Sequence, residues 1–165
     1  MPRVIFERPS PNWNGRGGVP IDCVVIHDTE CREVGPTLTW FASPASRVSA
    51  HYVIDRDGTI YRCVEDEAAA WHAGDCVLEG CADVNACSIG IELVGFGDTA
   101  YMPAQLDALV ELCLSLCVRH RIALDRIVGH QDIAVPAGRK RDPGPHFPWA
   151  QVRGRIAMGL AASVA

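Results

Sequence analysis

The sequence has no long apolar run, no CxxC pair, no excess of positive charge and no low-complexity segment. Each absence excludes something. Without a stretch near ~20 continuous apolar residues there is no candidate membrane-spanning helix, and the amino-terminal MPRVIFERPSPNWNGRGG lacks the apolar core of a signal peptide. Cytoplasmic synthesis is expected, with release to a cell wall left open as a second step. A formal charge of -5, from 15 Lys and Arg against 20 Asp and Glu, argues against a broad nucleic-acid footprint. The missing CxxC excludes the common zinc-ribbon and thioredoxin spacings despite eight cysteines.

What is there is the balance of a globular domain, 48% hydrophobic and 21% charged over 165 residues. One domain covering 1–165 is expected, monomeric, with an irregular arm over 1–20 that is rich in Pro, Gly and Asn. Cys23, Cys113 and Cys117 fall in apolar patterns and read as small hydrophobes. Cys76, Cys81 and Cys87 cluster in a polar, glycine-containing segment, where a loop-stapling disulfide would suit an oxidising compartment.

Two nearly continuous apolar runs, IDCVVIH over Ile21 to His27 and SIGIELV over Ser88 to Val94, predict central strands, the second interrupted by Gly90. Asp57-Gly58 between alternating runs predicts a hairpin from about Ala50 to Val64. A short helix is expected over Thr37 to Phe41, ended by Ser43-Pro44. Leu106, Leu109, Val110, Cys113, Leu116 and Cys117 recur at helical spacing behind Pro103, which predicts an amphipathic helix to about His120. A short strand over Ile127 to His130, the loop QDIAVPAGRKRDPGPHFP and a helix from about Trp149 to Ala162 follow. The order predicts an α/β chain with a single mixed central sheet flanked by helices, and a site in a groove at one edge of that sheet.

A catalytic zinc needs about three protein ligands and one open position. His27 and His130 each close a predicted strand and Asp142 follows in the adjoining loop, so all three can turn outward. Spacing alone is a weak signal, because a histidine at a strand end is more often a solvated or hydrogen-bonded surface residue than a ligand.

Five motifs in a fixed order add to this. VVIHDTE (Val24 to Glu30), SAHYVIDRDGTIY (Ser49 to Tyr61), AWHAG (Ala70 to Gly74), NACSIGIELVG (Asn85 to Gly95) and GHQDIAVPAGRKRDPGPHFPW (Gly129 to Trp149) resemble the type 2 N-acetylmuramoyl-L-alanine amidases. The resemblance runs from about Ser10 to Trp149. It implies a Zn2+ cofactor held by His27, His130 and Asp142. It also implies Glu92 as general base and Lys140 as the cation that meets the oxyanion, roles that suit a carboxylate and an ammonium beside a metal. His72 and Trp71 are implied in the substrate groove, with Trp71 alternatively a core residue, and Asn85 in contact with the peptide. His51 reads as a histidine that either supports the site from behind or packs in the core. Arg139 and Arg141 read as loop residues that steer an acidic stem peptide, and Pro143 and Gly144 as the turn that presents Asp142.

The implied reaction is hydrolysis of the amide between N-acetylmuramic acid and L-alanine, with peptidoglycan or a muropeptide as partner. The segment between the first ligand strand and the hairpin is short compared with recycling members of the family. That favours an endolysin-like, wall-degrading enzyme. The alternative is a cytosolic amidase recycling anhydro-muropeptides; a non-catalytic binding module is disfavoured because no ligand is missing.

Overall fold

In the computed structural model of the protein, which describes residues 5–164, the order of the sheet follows from the apolar runs. The strands are β1 (Ile5–Glu7), β2 (Trp13–Gly15), β3 (Cys23–Asp28), β4 (Tyr52–Ile54), β5 (Ile60–Arg62), β6 (Ala68–Ala70), β7 (Ser88–Leu93) and β8 (Ile127–Gly129). The helices are α1 (Val34–Ala42), α2 (Val84–Cys87), α3 (Pro103–His120), α4 (His130–Ile133) and α5 (Trp149–Val164). Six strands form one mixed sheet in the order β1-β5-β4-β7-β3-β8, and β2 pairs with β6 in a second, two-stranded sheet. The two apolar runs, β3 and β7, lie side by side and parallel in the middle, where both faces are covered. This is the position that favours near-continuous apolar strands.

Alternation along these strands sorts the side chains between two faces. Val24 and Ile26 of β3 and Ile89, Ile91 and Leu93 of β7 join the main core with Leu109, Cys113 and Leu116 of α3 and Val152 and Ile156 of α5. The opposite face carries Cys23 and Val25, packed on Ala73, Val84 and Ile133. His27, Ser88, Gly90 and Glu92 share the parity of that second face, so the two long helices back the sheet and the other face is free for chemistry. Cys23, Cys113 and Cys117 are buried, as expected of small hydrophobes.

The arm over 1–20 departs from the irregular segment expected. β1 runs parallel to β5 with Ile5 opposite Ile60, and β2 runs antiparallel to β6 with Trp13 opposite Ala70. Three-residue edge strands need only a few free backbone groups on a neighbour, so composition rich in Pro and Gly does not prevent them. The part of that expectation covering residues 1–4 lies outside the described residues.

The hairpin forms with Tyr52 opposite Arg62 and Ile54 opposite Ile60. Its turn is wider than a two-residue loop: the Asp55 N–H donates to the Thr59 carbonyl at 2.8 Å, and Gly58 alone of the enclosed residues takes a positive φ, of 87°. α1 starts earlier than expected and stops at Ser43, before Pro44. Cys81 and Cys87 are joined by a disulfide and Cys76 is free. Among the described residues, no helix is long and apolar enough to cross a membrane.

Candidate metal centre and active site

His27 is the fifth residue of β3 and lies directly across from Glu92 in the parallel register with β7. β8 flanks β3 on its other side, and His130 follows it as the first residue of α4 rather than as the end of the strand. The Asp132 carboxylate accepts the Gly129 N–H at 2.9 Å, which ties that junction. The Asp142 loop is anchored to the same turn, because the Asp142 carbonyl accepts the Gln131 N–H at 2.9 Å. Tyr101 donates its hydroxyl to the Pro143 carbonyl, and Gly144, with a φ of 82°, sits so close to Gly97 that a side chain there would collide with backbone. These contacts hold Asp142 against the sheet.

Three potential ligand atoms converge. His27 Nδ1 stands 2.9 Å from Asp142 Oδ2, His130 Nδ1 stands 3.0 Å from the same oxygen, and the two Nδ1 atoms are 3.0 Å apart. Both rings are almost fully buried, at 2% and 3% exposure. Burial pushes the His27 imidazole down, against the pull of Asp142, and so keeps it neutral. Burial alone would raise Asp142, but the two facing rings outweigh it and hold the carboxyl below its usual range. Two imidazole nitrogens and one carboxylate oxygen around a common point fit a tetrahedral zinc with its fourth position open. A carboxylate oxygen facing a ring nitrogen that bears no proton is repulsive unless a cation lies between them, so the donor set suits a metal.

These atoms line a cavity of about 500 Å³. Glu92 opens into it with Oε2 buried and without a hydrogen-bond partner. Burial, then the neighbouring Asp142 and Asp28 charges, raise its carboxyl well above the usual value. Burial likewise lifts Asp28 to about 6. Lys140 and Arg141 are exposed side chains on the cavity's rim. Arg139 also reaches the cavity, with its guanidinium tied to the carbonyls of Val135 and Asp75.

Residues 17–145 match a family model described as N-acetylmuramoyl-L-alanine amidase. The chain belongs to this amidase family. The 1,6-anhydro-N-acetylmuramyl-L-alanine amidase AmpD of Salmonella typhimurium strain SL1344 is 41% identical over 112 residues, which cover 68% of this chain and 59% of that protein. The N-acetylmuramoyl-L-alanine amidase AmiD of Escherichia coli is 35% identical over 122 residues, covering 64% of this chain and 44% of that one. The match thus spans less than two thirds of these relatives' length. Among solved members of the family, a crystal structure of an AmpD derivative superposes with a TM-score of 0.83 at 34% identity, covering 92% of this chain and 93% of that one. An endolysin amidase from Clostridium intestinale, at 23% identity and a TM-score of 0.74, shares the fold.

The remaining residues singled out from the sequence divide by position. Trp71 and His72 line the cavity. Asn85 does not; its Oδ1 accepts the backbone N–H groups of His72 and Ala73 at 3.0 and 2.9 Å. His51 is buried, accepts the Gly90 N–H at Nδ1 (2.9 Å) and donates from Nε2 to the Ala68 carbonyl (3.0 Å).

Two participants escaped sequence reading. Arg16, assigned to the irregular arm, is buried and donates to the carbonyls of Asp66, Ala86 and Ser88, fastening the arm beneath the site. Ser88 stands behind His72; its parity with Gly90 and Glu92 along β7 was the available signal.

Proposed function

We propose that the protein is a zinc-dependent amidohydrolase that cleaves the amide between the lactyl group of N-acetylmuramic acid and L-alanine, with soluble 1,6-anhydro-muropeptides as substrate. The observation that carries the hydrolytic reading is the triangle of His27 Nδ1, His130 Nδ1 and Asp142 Oδ2, with Glu92 opening into the same cavity and its Oε2 without a hydrogen-bond partner. When bound there, a zinc ion supplies Lewis acidity toward the carbonyl oxygen and toward water.

Glu92 takes a proton from the attacking water as the new C–O bond forms. Its raised basicity in a buried site suits that step. The Lys140 ammonium, on the rim, faces the negative charge that builds on the carbonyl oxygen. As the C–N bond breaks, Glu92 returns the proton to the alanine nitrogen, so the products are a free lactyl carboxylate and a free stem-peptide amine. Trp71 and His72 form one wall for the substrate.

The choice of a soluble substrate over intact wall departs from the endolysin-like expectation. That expectation rested on the short segment between β3 and β4, which reports length and not chemistry. Relatives of 40% identity and above carry the 1,6-anhydro name, whereas the endolysin likeness is one of fold. Incubating the protein with soluble anhydro-muropeptides and with intact sacculi, with and without a chelator, and weighing the products by mass spectrometry tests both points. Stem peptide is expected from the soluble substrate, lost on chelation and restored by zinc. Release that persists without zinc would overturn the metal reading, and faster release from sacculi the substrate reading.

A further inference from the structure

An imidazole that binds a cation through one nitrogen must carry its single proton on the other, so a ligand histidine works only in one tautomer. The hydrogen bonds behind both rings fix that tautomer. The chain begins at Ser88, whose hydroxyl hydrogen-bonds the Val84 carbonyl and, since a carbonyl can only accept, must spend its proton there. The same Oγ is 3.1 Å from His72 Nε2 and can only accept from it. His72 therefore carries its proton on Nε2 and offers a lone pair at Nδ1. His27 Nε2 stands 3.0 Å from that lone pair and donates to it. The Nδ1 atom of His27 is left bare, facing Asp142 and His130.

The next residue does the same for the second ligand. The Ala73 carbonyl accepts from His130 Nε2 at 2.9 Å, which leaves His130 Nδ1 bare. One side chain sets the height of both supports, since Asn85 Oδ1 accepts the N–H of His72 and of Ala73. Gly90 completes the fit: a Cβ there would lie 2.5 Å from the His72 ring, so β7 must be bare where the ring crosses it.

We propose that His72 and Ala73, clamped by Asn85, form a positioning frame that presets His27 and His130 with their Nδ1 lone pairs on the ion. The inference rests on the reading of His27, His130 and Asp142 as a metal centre. It gives His72 a role beyond lining the groove and gives Asn85 a role away from substrate. The frame works through hydrogen-bond direction and needs no change of charge.

Histidine-labelled 15N NMR of the full chain, metal-free and zinc-loaded, tests the tautomers directly. Both His27 and His130 are expected as Nε2–H with bare Nδ1 in either state; an Nδ1–H form of His27 in the metal-free protein would overturn the frame. Zinc affinity by competition with a chromophoric chelator gives the second readout. His72→Phe removes the acceptor and is expected to weaken zinc binding about 10- to 100-fold, the usual effect of losing an outer-sphere partner, whereas His72→Asn keeps an acceptor at the δ position and should stay within about threefold. Gly90→Ala, which displaces the ring, should behave like His72→Phe. Wild-type zinc affinity in a folded His72→Phe variant sinks the frame alone, while failure of the wild type to bind zinc sinks the metal centre beneath it. Should His72→Phe not fold, the wild-type NMR result decides.

Discussion

His27 and Glu92 are register partners on neighbouring parallel strands, so a metal-ligating ring and a buried carboxyl project side by side from the same face of the sheet. Parallel pairing of β3 and β7 brings them together at the carboxyl ends of both strands, the end where open α/β sheets place ligands. The pairing also keeps the two roles separate: the ring turns toward Asp142 while one carboxyl oxygen of Glu92 keeps no protein partner.

That separation makes the Glu92 variant informative. Glu92→Ala should retain stoichiometric zinc and lose turnover by about 10²- to 10⁴-fold, the usual contribution of a positioned general base. Metal content by atomic absorption beside kcat on a soluble anhydro-muropeptide checks both halves. An unimpaired variant would remove Glu92 from its role.

The ligand variants should behave in the opposite way. His27→Ala leaves two of three donors and is expected to lose zinc and activity together, with loss of the metal visible before any substrate is added. Retention of one zinc per chain would count against His27 as a ligand.

Lys140 is exposed on the cavity's rim, so its removal should leave the fold and the metal alone. Lys140→Met is expected to lower kcat by about 10²- to 10³-fold with KM little changed, as when one oxyanion partner is lost. A variant that raises KM and spares kcat would instead assign Lys140 to substrate binding.

Acid should destabilise the protein through groups outside the ligand triangle, His51 and Asp66 among them. Burial first, and then the Arg16 charge against the help of the Ala68 carbonyl, lower His51 from 6.5 to about 3. Between these values the unfolded chain binds the extra proton, so stability falls as pH drops below about 6.5, by up to about 1.4 kcal/mol per pH unit for this one group. Asp66 acts lower still. Burial would raise its carboxyl, but hydrogen bonds from His120 and Tyr52 and the Arg119 charge bring it below 3.8, so its stabilisation is present above that value and lost as pH falls through the lowered one. Denaturant unfolding in chelator from pH 8 to pH 4 should show the decline, and His51→Asn should make it shallower above pH 4, with the lowered His27 and His72 rings accounting for the remainder. Constant stability from pH 7 to pH 4 would contradict the assignment.

Local pattern made the elements readable in advance. The period-two parity of β3 and β7, the 3.6-residue spacing of Leu106 to Cys117 in α3, and Asp57-Gly58 in the hairpin each reflect interactions within a few residues of chain. The arm was misread for the converse reason: β1 and β2 exist through partners 53 and more positions away, and nothing in their own sequence demands a strand.

The site divides along the same line. By itself the sequence determined which residue types were on offer at strand ends, and its motifs matched a family in which His27, His130, Asp142, Glu92 and Lys140 have implied roles. Only the tertiary structure decided that residues 27, 72, 92, 130 and 142 meet, because the sheet order β4-β7-β3-β8 sets their distances and chain separation does not. It alone moved Asn85 off the cavity and under the His72-Ala73 segment. The direction of a ring proton depends on what lies behind the ring, and for His27 that is Ser88 and Val84, reached through His72 and invisible to any pattern of spacing.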